Sequence, residues 1–295
     1  MKKLLIFGVL LLFGNSLMAQ DYIFKVLLNK GNNTIERNGE TIPVKTGTSL
    51  QAGDMLSANG EVYVGLIHQN GQTIELREAK KYKVDDLGKQ VSAKSNSVIA
   101  KYGQYVINKM SDEEGSGKNL KVTGAVERGS EGVISVYLPY SNELFGKKAV
   151  VEWDQLDEVT EYEVILKNKF DEEIKMLPVE GNTLAIDLEA EDLTNESLLI
   201  VSVKASGNDG LSSSDYGIKK MTEQEYDEIK AEYESLEGIT QGSTLEDLLI
   251  ASFFEEKNLL IDAIARYHKA MEDHPEMGDF QILYEDFLFR NGLKE

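Results

Sequence analysis

Short alternations of apolar and polar residues, separated by glycine turns, run through residues 20–87. The alternating apolar positions are Val26, Leu28, Ile35, Ile42 and Val44, followed by Tyr63, Leu66, Ile67, Ile74 and Leu76. Asn-Gly pairs at 38–39, 59–60 and 70–71 lie between such runs. Both positions of that turn need a positive φ, so the pair is a strong hairpin signal. The pattern predicts an antiparallel β-domain.

A helical period replaces the alternation in residues 88–131. Ser95, Asn96 and Ser97 can cap a helix at its start. The apolar stripe of this helix consists of Val98, Ile99, Tyr102, Tyr105, Val106 and Met110. An acidic, glycine-rich run at 112–117 follows the stripe. We therefore expect a helix and a linker between two domains.

Strand patterns return in residues 132–220 at regular spacing. Five strands are predicted: Val133–Leu138, Lys148–Trp153, Tyr162–Leu166, Leu184–Leu188 and Leu198–Ala205. Trp153 is the single tryptophan of the chain. Several short strands at even spacing around one large aromatic residue are typical of a β-sandwich, so Trp153 is expected in its core.

Residues 221–295 have a helical period. Tyr226, Ile229, Tyr233 and Leu236 fall at i, i+3, i+7 and i+10. A break at 238–242 follows, and Ser243 or Thr244 is expected to cap a second helix. The whole pattern predicts a multi-domain, mainly β chain with an α-helical C-terminal region.

The first nineteen residues have the pattern of a signal peptide. Lys2 and Lys3 precede an apolar run from Leu4 to Phe13, and Ala19 is a small residue at a plausible cleavage point. The alternative is an uncleaved membrane anchor, but the apolar run is about half of the ~20 residues that span a bilayer. We expect residues 1–19 to be removed during export, with no integral membrane segment in the mature chain.

Composition narrows the possible functions. The chain has 295 residues with 51 acidic against 31 basic side chains, a formal charge of −20. This excess of negative charge argues against binding of nucleic acid or anionic membranes. There is no cysteine, which excludes disulfides, thiol nucleophiles and thiolate metal sites. Three histidines, at 68, 268 and 274, leave little scope for an imidazole metal site or a serine triad.

Two short motifs could form binding sites but have simpler structural explanations. The run Gly115-Ser116-Gly117-Lys118 lacks the other positions of a phosphate-binding loop, so a linker is favoured. Acidic residues that could converge on a cation are Asp154, Asp157, Glu158 and Glu161, but no calcium-binding loop pattern surrounds them. They are expected on the solvated surface. No catalytic, cofactor-binding or metal-binding residue is predicted, and the chain is not expected to be an enzyme.

The histidines and tyrosines also have simpler structural explanations than a binding site. His268 and His274 are six residues apart, whereas helical metal-binding pairs are one turn apart, so His268 is expected to be exposed. Four tyrosines could stack on sugars but are expected to be half-buried strand residues: Tyr63, Tyr82, Tyr137 and Tyr140.

Residues 35–80 resemble the FecR-type periplasmic β-domain. The matching residues are Arg37, Gly39, Gly47, Leu50, Gly53, Asp54, Leu56, Gly71, Ile74 and Leu76. The resemblance implies a location in the envelope of a Gram-negative bacterium, either periplasmic or at the cell surface. Full FecR-type regulators carry a cytoplasmic segment and a transmembrane helix before this domain. This chain has a signal sequence there instead.

Residues 132–220 resemble a fibronectin type III or immunoglobulin-like sandwich. Trp153 takes the position of the core indole, Tyr162 and Val164 open the next strand, and Val201 and Val203 lie on the penultimate strand. The family's corner tyrosine falls at Leu199 in this chain, so its hydrogen bond is expected to be missing.

Residues 244–295 resemble tetratricopeptide repeats. Ala263, Tyr267, Ala270 and Pro275 have the spacing of the second repeat helix, and Asn258 replaces the turn glycine. Asn tolerates the positive φ that this turn needs. A second repeat begins thirty-four residues later, near Tyr284 and Gly292.

These features indicate an exported, non-enzymatic binding or scaffold protein that contacts a protein partner in the cell envelope. A FecR-type ligand sensor and a carbohydrate-binding accessory protein are the alternatives, and the oligomeric state is left open. Residues 221–295 carry 19 acidic against 6 basic side chains, so an open repeat face would attract a basic segment. Otherwise that face packs on Tyr226, Tyr233 and Leu236.

Overall fold

The computed structural model describes residues 22–91, 97–112, 133–157, 159–208 and 210–294. The described part has fifteen strands in its N-terminal and central regions, and four of its six helices form the C-terminal region. The mixed layout of β-sheets followed by helices agrees with the predicted fold class. The predicted signal peptide at 1–19, the run 115–118, Ser95, Asn96 and Glu158 lie outside the described residues.

The N-terminal region is built from eight strands and one short helix. The strands are β1 Phe24–Lys30, β2 Thr34–Arg37, β3 Glu40–Pro43, β4 Ser49–Leu50, β5 Met55–Ser57, β6 Tyr63–His68, β7 Thr73–Leu76 and β8 Lys81–Lys83. They form two four-stranded sheets, in the orders β4-β1-β6-β7 and β3-β2-β5-β8. Helix α1, Val84–Gln90, closes one end and crosses the boundary predicted at residue 87. Phe24, Ile35, Leu56 and Leu66 meet in the shared core.

The three Asn-Gly pairs behave differently. Asn38 and Gly39 have φ of 52° and 84° and join the paired strands β2 and β3, as the hairpin signal predicts. The pair at 70–71 joins β6 and β7, which also pair. The pair at 59–60 connects β5 to β6, and these strands belong to different sheets. The hairpin predicted there is wrong, because a local turn pattern does not specify which strands pair.

Two of the residues that match the FecR pattern, Arg37 and Asp54, form an ion pair. Arg37 donates from Nε and Nη2 to the two carboxylate oxygens of Asp54, at 2.8 and 2.6 Å. Asp54 also accepts the backbone N–H of Gln51 at 2.7 Å, and its side chain is almost fully buried. The two-point ion pair joins β2 to the turn before β5, so these residues stabilise the fold.

The central region is a sandwich of seven strands. They are β9 Ser141–Leu144, β10 Lys148–Glu152, β11 Glu161–Lys167, β12 Glu173–Glu180, β13 Thr183–Asp187, β14 Leu198–Ala205 and β15 Tyr216–Lys220. One sheet has the order β12-β11-β14-β15-β9, with β9 parallel to β15, and β10 pairs with β13 in the other. Trp153 is fully buried between the sheets, edge-on to Tyr162 at 5.4 Å.

The strand predicted at Val133–Leu138 is not formed. Its residues make only isolated bridges, Val133 with Ser212 and Val136 with Trp153. These partners belong to opposite sides of the sandwich, so the segment crosses from one side to the other and cannot form a continuous ladder. Strands β9, β12 and β15 were missed because their apolar alternation is weak.

Helices form the C-terminal region and also include the predicted connector. They are α2 Ser97–Asp112, α3 Glu223–Thr240, α4 Glu246–Glu256, α5 Leu260–Asp273 and α6 Gly278–Arg290. Helix α3 starts at a capping box, in which Thr222 and Glu225 bond reciprocally. The cap residue of α4 is Leu245, without a side-chain bond, rather than Ser243 or Thr244. Asn258 has φ of 59°, as its turn position predicts.

Helix α2 packs into the folded body. Tyr102 is fully buried and lies edge-on to Phe253 of α4 at 5.3 Å. Its hydroxyl donates to Glu232 of α3 at 2.6 Å. One hydrophobic core extends through α2, the four C-terminal helices, the sandwich and the outer face of β1 and β6. The sandwich, the helices and the first sheet therefore share one apolar interior.

Candidate binding groove

One face of the C-terminal helices, for which the sequence left an open and a packed arrangement as alternatives, is covered in the structure. Helix α4 is buried from Asp247 to Glu255. Tyr233 of α3 stacks on Phe254 of α4 at 5.7 Å, and α2 covers Phe253. The observed arrangement is the alternative in which this face packs on Tyr226, Tyr233 and Leu236. This face is therefore not open to a partner in the structure.

A groove of about 440 Å³ lies where the sandwich meets the helices. We call it the β9–α3 groove. Its lining comes from β9, the end of β15, the first half of α3 and the turn between α4 and α5. Its volume falls within the range of about 300–1,000 Å³ typical of ligand clefts.

Local sequence and strand pairing together place its side chains. The parallel pairing of β9 with β15 sets Glu143 opposite Lys219. The capping box fixes the start of α3, so Glu225, Glu228 and Ile229, at i, i+3 and i+4, share the helix face that lines the groove. The α4–α5 turn adds Lys257, Asn258 and Leu259 on the opposite wall.

The groove has more carboxylates than basic groups, and both of its lysines already pair with a carboxylate. Lys219 donates to Glu143 and lies 3.9 Å from Glu225, and Lys257 pairs with Glu232 at 2.6 Å. The hydrogen bond to Glu143 raises the pKa of Lys219. Hydrogen bonds from Thr222 lower the pKa of Glu225. Both groups are therefore charged at neutral pH.

Glu228 is the exposed carboxylate of the groove without a basic partner. It accepts the side-chain amide of Gln224 at 3.1 Å. No Lys, Arg or His in the described ranges lies within 4.0 Å of it. Met221 and Ile229 are half-buried beside it, and Leu259 is buried, so the groove has an apolar part next to this carboxylate.

The two walls of the groove are joined by polar contacts, some exposed and some buried. Asn142 of β9 donates to the carbonyl of Asn258 at 2.9 Å and accepts the N–H of Leu260 at 3.0 Å. Asp262 accepts the N–H groups of Phe145 and Gly146 at 2.9 and 2.7 Å. Burial raises the pKa of Asp262 to about 7. These bonds hold the α4–α5 turn against β9.

A second polar cluster joins the sandwich to α5 and α6. Glu152 accepts Tyr284 Oη at 2.7 Å and lies 3.0 Å from His268 Nε2. Burial opposes ionisation of Glu152, but hydrogen bonds from His268 and Tyr284 outweigh it and lower its pKa. The side chain of His268 is only 16% exposed, so the prediction of an exposed histidine is wrong. The sequence does not show that β10 packs against this face of α5.

The other candidate residues from the sequence lie in different environments in the structure. Tyr63 and Tyr137 are buried and Tyr82 is half-buried, whereas Tyr140 is 74% exposed and stacks on Tyr216. The prediction of half-buried strand residues is therefore wrong for Tyr140, which is exposed, and neither Tyr137 nor Tyr140 lies in a strand. Asp154 accepts the hydroxyl of Tyr137. Within the described ranges, no three His, Asp or Glu side chains form a group that could hold a metal ion.

The helices also bear on a membrane role. Over the residues with described structure, no helix is both long enough and apolar enough to cross a membrane.

No protein-family model matches this chain, and a comparison with the curated proteins finds no match. The relation to the FecR, fibronectin type III and tetratricopeptide families stays a prediction.

Sequence reasoning did not find the β9–α3 groove. Glu143 and Lys219 are 76 residues apart, and no local pattern joins them. One signal was available for part of the site: Thr222-x-x-Glu225 is a capping-box sequence. It fixes the start of α3 and would have placed Glu225, Glu228 and Ile229 on one face.

Proposed function

We propose that the chain is an exported, non-enzymatic binding or scaffold protein of the bacterial cell envelope that acts through contacts with a protein partner. The observation that carries this proposal is the β9–α3 groove, which combines apolar side chains with the carboxylate of Glu228, a group that has no basic partner in the described part of the chain. Polar groups beside apolar surface in a concave site are typical of binding sites. The signal peptide predicted at 1–19 supports export.

Site-specific photo-crosslinking in the native envelope tests this proposal. A photoreactive amino acid is placed at position 229, in the groove, and at position 231 on the exposed side of α3. Partner binding in the groove predicts ultraviolet-dependent adducts from position 229 and none from position 231. Absence of adducts at 229, or the same adducts from both positions, would contradict the proposal.

Carbohydrate binding is a second candidate, because one observation favours it. The ring of Tyr140 is largely exposed and is held by stacking on Tyr216 at 5.4 Å, with an interplanar angle of 4°. A fixed, exposed aromatic face is suited to stacking on a sugar ring. Glycan-array binding that disappears in Tyr140→Ala would support this function, whereas no wild-type signal would reject it.

A further inference from the structure

We infer that the β9–α3 groove binds a protein segment in which a lysine or arginine lies beside an apolar residue. This inference rests on the proposed function and adds the chemistry of the partner. It commits to an external basic segment rather than to a second copy of the chain. Two copies, each with a formal charge of −20, would repel one another.

The charges of the groove carry the first part of the inference. Lys219 already lies between Glu143 and Glu225, so this wall binds an ammonium group supplied by the chain itself. Glu228, one turn further along α3, faces the same groove without a basic partner in the described part of the chain. An incoming Lys or Arg would pair with Glu228 as Lys219 pairs with Glu225.

The apolar residues carry the second part. Met221, Ile229 and Leu259 line the groove together with the carboxylates. A polyamine or a free ammonium ion would satisfy Glu228 and leave the half-buried side chains of Met221 and Ile229 uncovered. A segment with an apolar residue next to its cation would cover them, and burial of apolar surface contributes about 25 cal/mol per Å². Partner recognition therefore needs both features.

The size of the groove limits what can enter. About 440 Å³ holds a few side chains and is too small for a folded domain. Hydrogen bonds between Asn142 and the segment Asn258–Leu260 hold the two walls at a fixed spacing. A preformed site does not lose free energy to ordering its own walls. A short exposed loop or terminus of the partner fits this description.

The test measures fluorescence anisotropy of a dye-labelled peptide with a Leu-Lys-Leu centre and Gly-Ser flanks, added to the full mature protein. Two matched peptides replace the Lys by Glu or both Leu by Ser. We expect the Leu-Lys-Leu peptide to bind at least tenfold more tightly than either. Its affinity should fall with added salt, because screening weakens the charge contact. Equal binding of the Ser peptide, or equal competition by spermidine, would overturn the apolar part.

Two protein variants with the same change in charge locate the site. Glu228→Lys reverses the charge in the groove, and Asp227→Lys does the same on the exposed outer side of α3. We expect at least a tenfold loss of affinity for the first and less than twofold for the second. Unchanged fluorescence of Trp153 in both would verify folding. Equal losses would mean that overall charge, rather than the groove, binds the peptide.

The crosslinking result separates this inference from the proposed function. Adducts at position 229 that persist in Glu228→Lys would leave protein binding in place and overturn the basic chemistry of the partner. Absence of adducts together with absence of peptide binding would overturn both.

Discussion

Asp262 is a buried carboxyl group whose two oxygens both face backbone N–H donors, those of Phe145 and Gly146. Its side chain fixes the start of α5 against the loop after β9, where Gly146 allows a close approach. A Cβ at Gly146 would lie 2.9 Å from Asp262 Oδ1. Asp262 is thus one of the contacts between the sandwich and the helices, and its carboxyl group can titrate.

Stability should depend on the protonation of Asp262. Its pKa in the folded protein, about 7, is above its ordinary value of 3.8. The folded state therefore holds more protons than the unfolded state between these values, and the free energy of unfolding falls as pH rises through this range. Asp262→Asn removes this dependence. We expect the stability of the variant relative to wild type to rise, on the order of 4 kcal/mol, between pH 4 and pH 8.

Urea unfolding of both proteins at pH 4, 6 and 8 measures this difference. Comparison with the variant cancels the general repulsion among the other acidic groups, because both proteins share it. Parallel stability–pH curves would show that Asp262 does not titrate in this range.

Helix α2 is the element whose position is set by close packing. A Cβ at Gly71 would lie 2.1 Å from the Cβ of Ala100 and 2.2 Å from its Cα, so the β6–β7 turn touches the helix backbone. A Cβ at Gly103 would lie 1.8 Å from Ile67. Glycine at these two positions lets α2 approach the first sheet closely. This contact joins the N-terminal region to the helices.

Two glycine variants separate this packing from backbone strain. Gly71 and Gly39 have nearly the same φ, 86° and 84°, but a Cβ at Gly39 would meet nothing within 4 Å. Gly39→Ala therefore carries only the cost of a positive φ, about 1–2 kcal/mol. Gly71→Ala carries that cost and the displacement of α2, an additional ~1–3 kcal/mol.

The free energy of unfolding in urea checks the comparison. Equal losses of unfolding free energy in the two variants would mean that the β6–β7 turn moves away from α2 without loss of stability. Position 39 is a matched control because its glycine also lies in a hairpin turn of the same β-region.

The described parts of the molecule are joined by contacts between distant segments. Asp279 at the start of α6 accepts the backbone N–H of Asn29 in β1 at 2.7 Å. Arg290 of α6 makes two bonds of 2.7 Å to Glu255 of α4. Glu152 joins β10 to α5 and α6, and the hydrophobic core extends through the sandwich, the helices and one face of the first sheet.

We expect the sandwich and the helices to unfold together. Trp153 is the single tryptophan, so its emission reports the sandwich, while circular dichroism at 222 nm reports mainly the helices. Its full burial predicts blue-shifted emission in the native state. Because the two parts share a core, both signals should change at one urea concentration. Separate midpoints would show that they are independent domains.

Replacement of Trp153 tests the same coupling. Trp153→Ala should cost about 3–5 kcal/mol, the usual range for a large aromatic side chain removed from a core. The helical signal at 222 nm should move to lower urea with it. A helical transition that stays at the wild-type midpoint would contradict a shared core.

Local patterns in the sequence determined most of the secondary structure. Alternation placed β11 and β14, the helical period placed α2 and α3, and Asn258 took the positive φ that its turn requires. These features depend on neighbours within a few residues, so a pattern along the chain is enough to find them.

Pairing and packing between distant segments were decided only by the tertiary structure. The apolar stripe of α2 predicts a buried face but does not say that α4 and the first sheet cover it. The Val133–Leu138 segment has a strand pattern and crosses between two sheets instead. The β9–α3 groove needs Glu143 beside Lys219 and both beside α3. Contacts between such distant residues depend on the whole fold, because interactions between sequence neighbours do not determine them.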